Sequence, residues 1–239
     1  MKKTIYKALF ICSVLVTALS GRSTAQQLQI IHNCADPAAA SVDIYVFGSL
    51  YLNDFNYHDA TAFASLPPGN YPIGVAPSTS SSAADCFFNY SLSLSAGQSY
   101  VVVATGVVDP NFFTPNPDGR PLDFNLQVFT NIQTTGNSGP GNTDLIIYHG
   151  STDAPGIDVV PMGSPAILAD NLSYGDISSY ISLPAADHKV NLTLSNDNSL
   201  VVASYDVDLS SLGGGAAFVF AGGFNVPFFN QNGPALGLF

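Results

Sequence analysis

Ile30 to Val46 reads I-I-H-N-C-A-D-P-A-A-A-S-V-D-I-Y-V, and Ile146 to Val160 reads I-I-Y-H-G-S-T-D-A-P-G-I-D-V-V. Each stretch is an apolar strand, a His, an Asp four residues later, a turn containing Pro, and a second strand that opens on an Asp. The match runs on downstream. His149, Tyr174, Asp176, Leu183 and Pro184 follow His32, Tyr57, Asp59, Leu66 and Pro67 by 117 residues, while Asp158 follows Asp43 by 115, a short deletion in the second turn. Ser99 to Gly106 is answered by Ala217 to Gly223, Asn111-Phe112-Phe113 by Pro227-Phe228-Phe229, and Phe124 to Phe129 by Ala235 to Phe239. Two copies of this length make two domains; a solenoid needs shorter and more numerous units.

Composition points to strands. The 239 residues include 21 Gly, 16 Pro and no Trp, and only 10% are charged. Gly, Pro and β-branched residues interrupt every window that helical periodicity would need after residue 25. All 17 acidic residues are Asp, the acid of turns and strand ends, and none is Glu, which favours helices. Alternation is plain in Val42, Ile44 and Val46 and in Tyr90, Leu92 and Leu94, whereas Val101 to Ala104 is apolar on both faces, as in a central strand. Strands are predicted near 28–33, 42–47, 50–55, 61–66, 71–76, 87–94, 99–106 and 123–129. The second copy repeats them near 144–149, 157–161, 165–170, 177–182, 188–194, 200–208, 216–223 and 235–239. Short strands spaced by about ten residues describe an all-β fold of two tandem antiparallel β-sandwich domains, residues 26–129 and 144–239. The polar, Gly-rich stretch 130–143 reads as the linker.

The first residues read as an export signal. Lys2, Lys3 and Lys7 form a basic start, and Ala8 to Leu19 is an apolar run of 12 residues, too short for a membrane-spanning helix. Ser23-Thr24-Ala25 offers the small residues of a cleavage site, so the cut is expected between Ala25 and Gln26, leaving a secreted or cell-surface protein. Arg120 and Lys189 then remain against 17 Asp, a net charge of −15. That charge excludes nucleic acid and an anionic membrane surface as partners. Cys34 and Cys86 also remain, an even pair. In an oxidising compartment they are expected to form a disulfide, whose loop of about 52 residues would stabilise the fold by about 4 kcal/mol.

The pattern strand–His–Asp–Pro–Asp, with Leu66-Pro67-Pro68-Gly69 and Ser99 to Gly106 after it, resembles the family catalogued as domain of unknown function 4397. His149-Gly150-Ser151-Thr152-Asp153-Ala154-Pro155 fits its opening almost letter for letter. His32-Asn33-Cys34-Ala35-Asp36-Pro37 fits with Cys34 where the family usually has Ser. Leu183-Pro184-Ala185-Ala186 keeps half of the turn. The resemblance implies immunoglobulin-like sandwiches on exported bacterial proteins, and no activity.

Candidate chemistry is sparse. His32 with Asp36 and Asp43, and His149 with Asp153 and Asp158, repeat in both copies. An imidazole and two carboxylates can hold a divalent ion or serve a metal-dependent hydrolase. The alternative, favoured here, is that each Asp accepts turn N–H groups while the His bridges strands. No Ser, Cys or Lys nucleophile stands at motif spacing beside them. Asp109, Asp118 and Asp123 offer oxygen ligands for calcium, yet their spacing fits no EF-hand. Phe112, Phe113, Phe228, Phe229, Tyr51, Phe55 and Tyr57 suit sugar stacking if exposed; burial is expected, because without Trp the core must be filled by other large rings. Asn89, Asn171 and Asn191 begin sequons. The resulting expectation is a non-enzymatic structural or binding module without cofactor, its partner a protein or glycan at the cell surface. Carbohydrate binding is the alternative.

Overall fold

The computed structural model describes residues 26–239, so the leader over residues 1–25, and the bond expected to be cut after Ala25, lie outside the described residues. Those described residues contain no α-helix and fold as two β-sandwiches. In the first, β1 (Gln26–His32), β4 (Ala64–Leu66), β7 (Ser99–Thr105) and β8 (Asn125–Thr130) form one sheet in the order β4-β1-β7-β8. Facing it, β2 (Ser41–Val46), β3 (Ser49–Asn56), β5 (Gly69–Pro77) and β6 (Phe88–Leu94) form the sheet β3-β2-β5-β6.

The second domain repeats this plan. Strands β9 (Asn142–His149), β12 (Ile181–Pro184), β15 (Ala216–Gly222) and β16 (Gly237–Leu238) are ordered β12-β9-β15-β16. Strands β10 (Ile157–Pro161), β11 (Ala169–Leu172), β13 (Asp187–Leu194) and β14 (Asp197–Asp208) are ordered β11-β10-β13-β14.

Among the named strands, the pairing departs from the purely antiparallel expectation at one place in each domain. β1 runs parallel to β7, from Gln27 opposite Ser99 to His32 opposite Ala104, and β9 runs parallel to β15. A parallel pair needs a long crossover, and the five strands between β1 and β7 provide it.

Side-chain alternation then decides what each face meets. From β1, Leu28 and Ile30 enter the core between the sheets, with Tyr100, Val102 and Ala104 of β7 and Val42, Ile44, Ile73, Val75 and Leu92 opposite. The other face of β1 and β7 carries Ile31, Val101 and Val103, which are equally buried. Their cover is the second domain: they pack against Ile146, Tyr148 and Phe220. Each such side chain contributes about 1.5–3 kcal/mol relative to exposure. The double-sided apolar run in β7 is therefore a core strand whose second face is an interdomain surface.

Polar contacts fix the two domains together. The Tyr148 hydroxyl is buried 2.9 Å from Gln127 Oε1 and 3.2 Å from Thr105 Oγ1. Gln127 Nε2 donates to Gly175 O at 2.6 Å, and Arg120 Nη2 lies 3.0 Å from Asp176 Oδ2. Asn33 Nδ2 donates to Gly150 O at 3.1 Å. Asn33 and Gly150 are equivalent positions of the two copies, and other contacts are reciprocal: Gly233 lies against Ala35 O as its counterpart Asn116 bonds the equivalent Thr152 O, so the domains are related by a local dyad. The stretch between β8 and β9 is anchored as well. Ile132 is buried, Gln133 N donates to the Tyr180 hydroxyl at 2.6 Å, and Gly136 N donates to Gly214 O at 2.9 Å.

Candidate functional site

The His and Asp residues of the two opening turns are buried, and each is committed to backbone. Cys34 N donates to His32 Nδ1 at 3.3 Å, so that nitrogen is an acceptor and Nε2 carries the proton it donates to Ala39 O at 2.8 Å. His149 repeats the arrangement: Ser151 N donates to Nδ1 at 3.3 Å, and Nε2 lies 3.0 Å from Pro155 O. Burial, the largest cause, lowers the His32 pKa to about 4 and moves His149 the same way. Both rings are neutral at pH 7, with both nitrogens engaged.

Asp36 caps the 3-10 turn Pro37–Ala39 through Ala38 N at 2.8 Å, and its other oxygen accepts Val108 N at 2.8 Å. Asp153 accepts Asn225 N at 2.6 Å, Val226 N at 2.8 Å and Asn230 Nδ2 at 2.7 Å. In each domain the Asp thus ties the opening turn to the loop that follows the parallel strand.

Asp43 and Asp158 serve a different turn. Asp43 accepts Asp54 N at 3.0 Å and Ser80 Oγ at 2.6 Å, while Asp158 accepts Asn171 N at 2.7 Å. Asp54 and Asn171 both sit in the left-handed region, with φ of 53° and 54°. A metal at either His would have to displace a backbone partner. Among the described residues, no group of three His, Cys or Asp side chains is arranged to hold an ion.

The calcium candidates lie in the connection between β7 and β8. Asp109 caps Asn111 N at 3.1 Å, and Asp123 lies in a backbone bridge with Val107. Asn116 Oδ1 accepts Asp118 N at 2.9 Å, and its Nδ2 donates to Thr152 O of the other domain at 2.9 Å.

The disulfide expectation is corrected. Cys34 and Cys86 are both free. Cys34 is fully buried beneath the opening turn and donates to Gly106 O at 3.1 Å; burial pushes its thiol up to about 12. Cys86 ends the 3-10 turn Ala83–Asp85 and lies against Gly74 of β5. An even cysteine count says nothing about where the two thiols lie.

Burial of the aromatics holds only in part. Phe55 and Phe113 are buried, but Phe112, Phe228 and Phe229 are 67%, 76% and 65% exposed, and Tyr51 is exposed too. The 3-10 turns Pro110–Phe112 and Pro227–Phe229 are equivalent, so Phe112 answers Phe229, and the buried Phe113 answers the buried Asn230. This shifts the register read from the sequence by one residue. With about three residues per turn, successive side chains in such a run point in different directions, and one of them turns inward.

The two loops are bound together. Asn230 Oδ1 accepts Thr114 N at 2.9 Å, and the Phe113 ring stacks on Phe224 with centroids 5.5 Å apart. Phe228 and Phe229 meet edge to face at 5.2 Å. Val108 and Val226, both partly exposed, flank them. The result is an apolar tip built from both domains and braced from beneath by Asp36, Asp153 and Asn230. Asn230, Asn33 and Asn116, which lock the two halves, carry no sequence signal, since their partners are in the other copy.

Comparison with known proteins adds family but little kinship. No curated protein matches. A product complex of the multi-modular glycogen-degrading pneumococcal virulence factor SpuA is similar at 10% identity and a TM-score of 0.24, over 81% of this chain and 20% of that one. A leucine-rich repeat protein from Bacteroides thetaiotaomicron is similar at 11% identity and a TM-score of 0.17, over 82% of this chain and 25% of that one. The chain thus spans a quarter or less of these solved structures. The family model described as Domain of unknown function (DUF4397) matches residues 26–138 and 143–223, and the chain belongs to that family, which it carries as two tandem segments.

Proposed function

We propose that this is a non-enzymatic, exported surface-binding module whose contact face is the aromatic tip, and that its partner is a protein surface with an apolar recess. The observation that carries this reading is the exposure of Phe112, Phe228 and Phe229 on two loops held rigidly side by side. Exposed aromatic clusters of this kind mark interaction sites in soluble proteins. The recurring His and Asp residues support it from the other direction, because their hydrogen bonds go to backbone and leave no free base beside a nucleophile. Export follows from the expected leader and suits the charge of −15 left on residues 26–239.

The test is binding of fluorescently labelled protein to intact cells of the source organism. Alanine at Phe112, Phe228 and Phe229 together is expected to abolish binding without lowering the melting temperature. Loss of binding after protease treatment of the cells supports a protein partner. Loss after periodate treatment alone supports a carbohydrate ligand instead. Undiminished binding by the triple variant would remove the tip from the function.

A further inference from the structure

The local dyad makes each domain a control for the other, and one position breaks the symmetry in an informative way. Gly175 stands at φ 91°, its N–H donating to His149 O at 2.8 Å. The equivalent residue in the first domain is His58, at φ 71°, its N–H donating to His32 O at 2.8 Å. The backbone is the same, and glycine is the residue that adopts it without strain. The first domain places an imidazole there against that preference, and strain of this sort gathers at functional sites.

That imidazole lines a cleft between the domains with a volume of about 510 Å³. The cleft exists because residues are small where the other copy fills the space. Ile31 and Ala60 stand where the second domain has Tyr148 and Ile177, whose larger side chains pack in the joint. The walls are the rings of Phe63, Phe218, Phe220 and Phe239. His58 lies between Tyr57 and Phe239, with centroids 3.5 Å from each, and Phe239, 45% exposed, closes over it. Two polar atoms of the lining, His58 Nε2 and Gln133 Oε1, are buried without a hydrogen-bond partner. Buried polar atoms are rarely left so. No Asp, Lys or Arg lines the cleft.

We propose that this cleft is a binding site for a small neutral molecule with one planar ring and a hydroxyl group, a phenol in its simplest form. The ring displaces Phe239 and stacks among the phenylalanines; the hydroxyl donates to Gln133 Oε1 or meets His58 Nε2. Charged ligands are disfavoured because nothing in the lining compensates them. Size and lining agree with small-molecule sites, which are concave, mostly apolar, supplied with a few polar atoms and frequent at domain interfaces. Burial lowers the His58 pKa to about 4, so the imidazole stays neutral across the physiological range. The site is separate from the aromatic tip and does not depend on it.

The test is an NMR titration of the full chain with phenol, and with toluene and benzoate as controls that lack the hydroxyl or add a charge. Phenol is expected to shift the His58 ring signal and the Phe218 and Phe220 amides saturably. Toluene and benzoate should bind about tenfold more weakly or worse. His58→Gly, which restores the residue the second domain uses, should fold normally and weaken phenol binding about tenfold, followed through the two amides. Ala60→Ile should close the cleft and abolish binding. A titration with phenol that never saturates overturns the proposal. So does equal binding of toluene or benzoate, or binding unchanged by both substitutions.

Discussion

Asp153 gathers three N–H donors from a loop 72 to 77 residues further along the chain, and Asp36 reaches one donor 72 residues away besides its own turn. Hydrogen bonds to a buried carboxylate are among the stronger kind, and losing the acceptor strands every donor. Asp153→Ala is expected to destabilise the protein by about 3 kcal/mol and Asp36→Ala by about 2 kcal/mol, in urea denaturation at pH 7.

The buried histidines set a pH dependence. The His32 pKa is lowered to about 4, so below pH 6.5 the unfolded chain takes up a proton that the folded one refuses. Stability is therefore whole above pH 6.5 and falls as pH drops toward 4. His32 alone accounts for a loss of about 2 kcal/mol at pH 5, readable as a lower urea midpoint. His149 adds to it in the same direction. The importance of these residues was legible in the sequence, because they recur at fixed spacing. What they bind was not, because Val108, Asn225 and Val226 contribute only backbone N–H groups, which every sequence has.

At the scale of strands and loops, alternation placed most of the elements within a few residues, and it correctly gave Val42, Ile44 and Leu92 an inward face. It could not give the parallel pairing of β1 with β7, since a strand's own pattern is the same for either direction of its neighbour. The passage from β7 into the tip loop shows what the pairing demands. Gly106 and Gly223 occupy equivalent positions, both at φ 89°, and a Cβ on either would run into a backbone carbonyl, of Asp123 in one domain and Ala235 in the other. Gly106→Ala and Gly223→Ala are each expected to cost about 2 kcal/mol or more, measured by chemical denaturation, with the neighbouring loop losing hydrogen-exchange protection first. The run of phenylalanines at the tip deceived the composition-based expectation for a similar reason. Hydrophobicity does not say which of several consecutive residues a tight turn points inward: Phe113 in one loop, Asn230 in the other.

For the whole molecule, duplication was plain from the 117-residue offset, but the association of the copies was not. The residues that join them lie on strands that read as ordinary core, and the stretch between reads as polar and free. Tyr148 is the largest side chain buried in the joint. Tyr148→Ala should remove about 3–5 kcal/mol, by analogy with other aromatic truncations, and most of that loss falls on the coupling between halves. The unaltered protein is expected to melt in a single calorimetric transition and the variant in two.

The shared direction of β1 and β7 also fixes which way the molecule faces. Gln27 lies level with Ser99, and Tyr100 with Thr130, while His32 lies level with Ala104, beside the loops that carry the exposed phenylalanines. Seven residues of strand separate these ends, a span of about 20 Å. Gln26, the residue that the expected cleavage would leave first, therefore sits at the end remote from the exposed phenylalanines, and a partner seated on them would leave that end clear by about the same height.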